Sequence, residues 1–183
     1  MKHVGKLLIA NPTMRKDNPF SKSVVYIYSD CPNAGTVGVV LNRPSETTVQ
    51  QLAFDQKISF PSQERVYMGG PVNRSAMILL HTDDWQSKNT AIAGANLKLS
   101  SDNFMLLKMS TDNLPAYWRL FVGLSTWAPG QLAMEIGGHF PYNQTNQWLT
   151  IDGNEAIIFE NSGEAQWEQA LQVYSNQKIN SWF

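Results

Sequence analysis

The most informative feature of this chain is a pair of segments, Val37-Gly38-Val39-Val40-Leu41-Asn42-Arg43-Pro44 and Val66-Tyr67-Met68-Gly69-Gly70-Pro71-Val72. Each contains the β-branched and apolar residues that favour strands. Each also runs into glycine or proline, which mark turns because glycine accepts unusual backbone angles and proline lacks an N–H donor. Both segments therefore predict an apolar strand that runs directly into a tight turn.

The rest of the chain intersperses further short strands with helices. Apolar runs predict strands at residues 4–10, 23–28, 36–41, 66–68, 76–81, 97–99, 118–124, 148–151 and 156–159. Capping residues predict helices that start near Ser45 or Thr47, Ser101 or Asp102, Pro129, and Asn161 or Ser162. Because no regular βαβ repeat is present, the pattern favours an α+β fold with a mixed, largely antiparallel sheet and a few flanking helices.

The predicted organisation is a single domain over residues 1–183, with an exposed loop at residues 137–147. A chain of this length is typical of one domain or of two small ones. Asp152-Gly153-Asn154 predicts a hairpin turn between the last two strands. The C-terminal helix is predicted to bury one face, formed by Trp167, Ala170, Leu171 and Tyr174.

The amino-acid composition argues against several classes of protein. The chain has 43% hydrophobic and 16% charged residues and a formal net charge of −1, a balance that argues against an electrostatic nucleic-acid-binding domain. Cys31 is the single cysteine, so no intrachain disulfide or oxidising compartment is implied. Without an apolar run near the ~20 residues that a membrane helix needs, we expect a cytoplasmic protein with no membrane partner.

An ordered set of short motifs resembles the AlgH/YqgE family of bacterial proteins, whose biochemical activity is largely unknown. The residues that carry the resemblance are Ala10-Asn11-Pro12, Phe20, Ser23-Val24-Val25-Tyr26, Gly38 to Pro44, Gly69-Gly70-Pro71-Val72, Leu80-His81, Gly123, Trp127, Pro129-Gly130-Gln131-Leu132, Glu135 and Trp148-Leu149. Their order and spacing agree over roughly residues 5–171.

The resemblance implies a compact α+β domain whose sheet curls toward a partial barrel, and it implies no established reaction or cofactor. Three departures stand out. Ala133 replaces a usual acidic residue, the segment 137–147 looks longer than the family's connection, and the end from Val173 onward does not follow the family pattern.

The candidate site residues come from three of these motifs. Arg43 could hold a phosphate or carboxylate in its planar fork beside Asn42, although both residues could instead support the turn. Gly69-Gly70 could present backbone N–H groups to an anion or could only form a corner. Trp127 and Gln131 join a strand to a helix, where they could border a cleft or plug the corner.

The sequence shows no complete set of residues for a catalytic nucleophile, a metal site or a nucleotide-binding site. No catalytic residue, metal or cofactor is therefore predicted. His81 with Asp83 and Asp84 gives only a weak metal signal. The first hypothesis is a non-enzymatic binding or regulatory protein that acts through a small anionic ligand or a protein partner. The alternative is an enzyme on a phosphorylated or carboxylated small molecule, with Arg43 as anchor and Glu135 as base.

Overall fold

The computed structural model describes residues 2–139 and 146–182. Within those ranges the elements follow in the order β1 (Lys6–Ala10), β2 (Val24–Cys31), β3 (Gly35–Val40), β4 (Pro44–Thr48), α1 (Val49–Asp55), β5 (Arg65–Met68), β6 (Val72–Thr82), β7 (Ala91–Gly94), β8 (Leu97–Ser100), α2 (Met105–Met109), β9 (Trp118–Trp127), α3 (Gln131–Gly137), β10 (Trp148–Asp152), α4 (Glu155–Phe159) and α5 (Gly163–Asn180).

The strands form one ten-stranded sheet, with the main order β10-β1-β2-β3-β9-β6-β8-β7. Strand β5 branches from this path, because it pairs with both β4 and β9. The β5–β9 pairing is parallel and the other pairings in the described residues are antiparallel. The predicted α+β fold with a mixed, largely antiparallel sheet is therefore confirmed.

The sheet curls until its edge strand β7 lies near β2. The Tyr26 hydroxyl on β2 lies 2.8 Å from the carbonyl oxygens of Ala93 and Gly94 on β7. Gly94 has a φ of +84°, and a Cβ there would stand 3.0 Å from the Cα of Gly5. Only glycine fits this conformation and close approach without strain, and the contact confirms the predicted partial barrel.

Helix α5 covers one part of the core. Trp167, Leu171 and Tyr174 pack against the buried cluster to which Ala170 belongs, as the sequence pattern predicts. The Trp167 indole N–H also donates a 2.8 Å hydrogen bond to the carbonyl of Ala10 on β1. Apolar burial and directional hydrogen bonds, of which this is one, therefore hold the helix to the sheet.

The predicted hairpin around Asp152-Gly153-Asn154 is wrong. Residues 155–159 form helix α4 instead of a strand. The Asn154 side chain accepts a 3.0 Å hydrogen bond from the Ile157 N–H and so caps the helix. Ile157 and Ile158 are both buried, and a short apolar run of this kind does not distinguish a strand from a buried helical turn.

Two short strands and one cap were not predicted. Strands β4 and β7 are polar or mostly exposed, so their alternation gives a weak strand signal. The cap of α1 is Thr48, not Ser45 or Thr47, and it forms a capping box with Gln51.

Part of the predicted exposed loop at 137–147 lies outside the described residues. Within the described part, α3 ends at Gly137, His139 and Asn146 are exposed, and Gln147 is half-buried. No helix in residues 2–139 and 146–182 has the length and apolar character needed to cross a membrane.

Candidate functional site

The two glycine- and proline-marked segments, residues 37–44 and 66–72, lie side by side at the ends of β3 and β5. The Val40 N–H donates a 2.9 Å hydrogen bond to the carbonyl of Gly69, and the Met68 N–H donates one of 2.8 Å to the carbonyl of Arg43. These two backbone contacts fix both turns relative to each other. They bring Arg43 and Gly70 to the wall of one cavity.

The Arg43 side chain is half-buried, and its hydrogen bonds to the described residues are made through one terminal nitrogen. Its Nη2 donates hydrogen bonds to the Ser23 hydroxyl at 2.8 Å and to the carbonyl of Ser21 at 3.3 Å. Burial lowers the pKa of the guanidinium, because removing a cation from water disfavours its charged form. Arginine nevertheless stays protonated at neutral pH, so the cavity contains a positive charge.

This cavity, which we call the arginine cavity, has a volume of about 320 Å³. Its charged lining residues are Arg43 and Arg74, and no acidic side chain is among the described residues of its wall. Arg74 reaches it from the exposed first half of β6, where the pairing with β9 shifts register between Val72 and Met77. The remaining wall is largely apolar and is formed by Pro19, Phe20, Val40, Met68 and Pro71.

The five arginines of the chain divide into three groups. Arg15 and Arg65 form ion pairs with Asp17 and Glu46. Arg119 is buried among carbonyl oxygens and stacks on the ring of Tyr67, 4.3 Å from its centroid.

The remaining two, Arg43 and Arg74, have no ion-pair partner in the described part of the chain. Both line the arginine cavity, which therefore concentrates positive charge with no acidic side chain among the described residues of its lining.

Asn42 does not face this cavity. Its Oδ1 accepts a 2.9 Å hydrogen bond from the Val24 N–H, and its Nδ2 donates to the carbonyls of Lys22 and Gly163 at 2.8 and 2.9 Å. The side chain is 5% exposed. These bonds tie β2 to the start of α5, which agrees with the structural interpretation of Asn42.

The Gly69-Gly70 pair forms a closely packed corner. The Gly69 N–H donates to the carbonyl of Val122 at 2.9 Å, and its own carbonyl accepts from the Ser125 hydroxyl at 3.1 Å. A Cβ on Gly70 would lie 2.2 Å from the carbonyl oxygen of Leu124. The Gly69 amide is thus already engaged, while Gly70 brings the backbone to the edge of the arginine cavity.

Trp127 and Gln131 lie at a second, smaller cavity of about 140 Å³, which we call the tryptophan cavity. Here the carboxylate of Glu135 is 8% exposed and accepts three hydrogen bonds. The donors are the indoles of Trp127 and Trp148, at 3.0 and 2.8 Å, and the amide of Gln131, at 2.8 Å. Neutral N–H groups therefore stabilise this buried carboxylate.

Phe20 lines both cavities. Its ring centroid lies 6.1 Å from that of Trp127 and 5.6 Å from that of Trp148. The structure thus places Arg43 and Gly70 at the arginine cavity and Trp127 and Gln131 at the tryptophan cavity.

Sequence reasoning did not identify Arg74 or Arg119 as candidates. The sequence does indicate a special environment for Arg119, because an arginine within the predicted apolar strand 118–124 needs buried polar partners. Arg74 carries no such signal, since it lies among exposed residues of β6 and only the folded chain brings it to Arg43.

The weak metal signal at His81 corresponds to a buried hydrogen-bond network. Its ring nitrogens lie 2.8 Å from the carbonyl of Thr82 and 2.9 Å from the hydroxyl of Ser100. Among the described residues no group of three or more His, Cys, Asp or Glu side chains is arranged to hold a metal ion.

Comparison with known proteins agrees with the fold. The model of the AlgH-like family matches residues 7–178. A UPF0301 protein of Ruegeria pomeroyi is 32% identical over 174 residues, which cover 92% of this chain and 90% of the relative. A UPF0301 protein of Rhizobium etli is 30% identical over 177 residues, which cover 91% and 84%.

Two solved structures are similar as well. The AlgH protein from Pseudomonas aeruginosa is 27% identical with a TM-score of 0.73, over 91% of this chain and 85% of that one. A protein from Corynebacterium diphtheriae is 23% identical with a TM-score of 0.70, over 91% and 84%, and supports the fold alone. With a family model matched from β1 into α5, this chain belongs to the AlgH-like family.

Proposed function

We propose that this protein is a non-enzymatic binding protein and that the arginine cavity holds a small anionic ligand. One observation carries the proposal: Arg43 and Arg74 line the same cavity, and neither has an ion-pair partner among the described residues. A phosphate or carboxylate would complement both charges and would offset the cost of burying the Arg43 guanidinium.

The separation of Arg43 and Glu135 favours binding over the enzyme alternative. An anchor and a base have to reach the same substrate, yet these two residues line different cavities, with Phe20 in the wall of each. Glu135 is also engaged by three N–H donors. A cytoplasmic location and a regulatory role for the binding remain predictions.

The test is a calorimetric titration of the purified protein with inorganic phosphate and with acetate. We expect Arg43→Gln to weaken binding of the anions at least tenfold. The matched control is Arg65→Gln, which removes an arginine that lies outside this cavity and should change affinity less than twofold. Higher ionic strength should also weaken wild-type binding, because salt screens a partly exposed charge.

Stability gives the second measurement. Because the Arg43 side chain donates two hydrogen bonds to the described part of the protein, Arg43→Gln should lower the free energy of unfolding by about 1 kcal/mol or less. Unchanged anion binding together with a large loss of stability would show that Arg43 is structural. Turnover in a phosphoesterase and esterase panel that disappears in both Arg43→Gln and Glu135→Gln would favour the enzyme instead.

A further inference from the structure

The wall of the arginine cavity contains more apolar surface than the binding of a simple inorganic anion requires. Besides the two arginines and Gly70, its described lining consists of two prolines, a valine, a methionine and Phe20. An inorganic ion would leave this apolar surface without a partner. Ligand pockets combine such a surface with a few polar groups that fix orientation, and this cavity has that composition.

The aromatic part of the wall is already held in place. Phe20 contacts Trp148 edge-on, with an interplanar angle of 68°, and is tilted by 31° against Trp127. Trp148 and Trp127 are themselves fixed by hydrogen bonds to Glu135. A preorganised aromatic face binds at a lower entropic cost than a mobile one, so Phe20 offers a ready surface for an apolar group.

The volume limits the size of the ligand. At about 320 Å³, the cavity lies near the lower end of the range for small-molecule sites. A single ring or a short branched chain with one anionic group fits such a volume.

We infer that the ligand of the arginine cavity is a small amphipathic acid. Its carboxylate or phosphate group pairs with Arg43 and Arg74, and its single ring or short branched body lies against Phe20 and Met68. This inference rests on the proposed function and adds the class of ligand.

The experiment compares matched pairs of probes by calorimetry: benzoate against acetate, and phenyl phosphate against inorganic phosphate. We expect the ring-bearing member of a pair to bind about tenfold more tightly, the gain expected from burying roughly 60 Å² of apolar surface. The two pairs also distinguish a carboxylate from a phosphate as the preferred head group.

Two variants measure separately how the anionic head group and the apolar body of the ligand contribute to binding. Arg43→Gln should weaken binding of all four probes at least tenfold, whereas Phe20→Leu should reduce the preference for the ring-bearing probe to less than threefold. Phe104→Leu is the matched control, because Phe104 is 48% exposed and lies outside this cavity. Should Phe20→Leu fail to fold, Met68→Ala tests another part of the same wall.

The outcomes are distinct. Arg43-dependent binding with no gain from the ring overturns the amphipathic ligand and leaves the proposed anion site intact. A gain from the ring that persists in Phe20→Leu and in Met68→Ala also overturns the inference, because the apolar body then lies elsewhere. If binding of none of the four probes depends on Arg43, the proposed function fails together with the inference.

Discussion

The Nη1 atom of Arg119 donates a 3.0 Å hydrogen bond to Oε1 of Gln166, and both side chains are more than nine-tenths buried. The same guanidinium donates to the carbonyls of Leu41 and Asn161 at 2.9 and 3.0 Å. Burial lowers its pKa, and carbonyl dipoles provide the compensation that a counter-ion usually gives. The pair joins β9 to the start of α5.

Arg119→Met should therefore destabilise the fold by about 3 kcal/mol, because it leaves buried oxygen atoms without donors. Chemical denaturation measures the loss. Arg65→Gln is the control: its ion pair is exposed, so we expect a change below about 1 kcal/mol. Equal effects in the two variants would contradict a linking role for Arg119.

Glu135→Gln should weaken the cluster around the tryptophan cavity. The amide of the new side chain cannot accept as many hydrogen bonds as the carboxylate that now binds Trp127, Trp148 and Gln131. We expect a loss of about 2 kcal/mol and a shifted tryptophan emission. Glu168→Gln, at an exposed position of α5, should change neither quantity, and an unshifted emission in Glu135→Gln would contradict the observed contacts.

Protonation of His81 should make stability fall in mild acid. Burial lowers its pKa from 6.5, while the ring donates from Nδ1 to the Thr82 carbonyl and accepts at Nε2 from Ser100. Because the unfolded chain keeps the higher pKa, it takes up the proton first as pH falls below 6.5. The free energy of unfolding should thus decrease by up to about 1.4 kcal/mol per pH unit.

The measurement is the stability at pH 7 and pH 5. Burial also lowers the pKa of His3, so the comparison is made in a His3→Gln background, with and without His81→Gln. We expect the second substitution to flatten the pH dependence. The same slope in both proteins would mean that His81 titrates alike in the folded and unfolded states.

Gly70→Ala should destabilise the fold far more than Gly130→Ala. Both glycines have positive φ, +154° and +79°, but a Cβ on Gly70 would lie 2.2 Å from the Leu124 carbonyl oxygen and one on Gly130 would meet nothing within 4 Å. We expect about 1 kcal/mol from backbone strain at Gly130 and more than about 3 kcal/mol at Gly70. Similar losses, measured by denaturation, would show that the corner can relax.

The sequence pattern predicts most of the architecture because local propensity and burial agree there. Strands β2, β3 and β9 are dense in β-branched and apolar residues, and they form the centre of the sheet. Prediction fails where the local signal is ambiguous. The Ile157-Ile158 pair satisfies a strand or a helical turn equally, and the Asn154 cap decides between them.

Some residues of the candidate site can be recognised from the sequence, and others cannot. Arg43 stands out in the sequence because it follows a buried strand and precedes a proline, and Trp127 and Gln131 stand out at a junction between a strand and a helix. Phe20 and Arg74 are separated from Arg43 by more than 20 residues along the chain, and no local pattern connects them to it. The folded chain brings both residues to the wall of one cavity with Arg43.

The sequence by itself determined the membership in the AlgH-like family, the α+β class and the places where strands turn, because these follow from residue type and short-range spacing. Which charged groups lie close together depends on the three-dimensional fold. Arg119 is surrounded by carbonyl oxygens, whereas Arg43 shares a cavity with Arg74 and lacks an ion pair in the described residues. The physical reason is that the electrostatic environment of a side chain is set by neighbours in space, which the curl of the sheet selects.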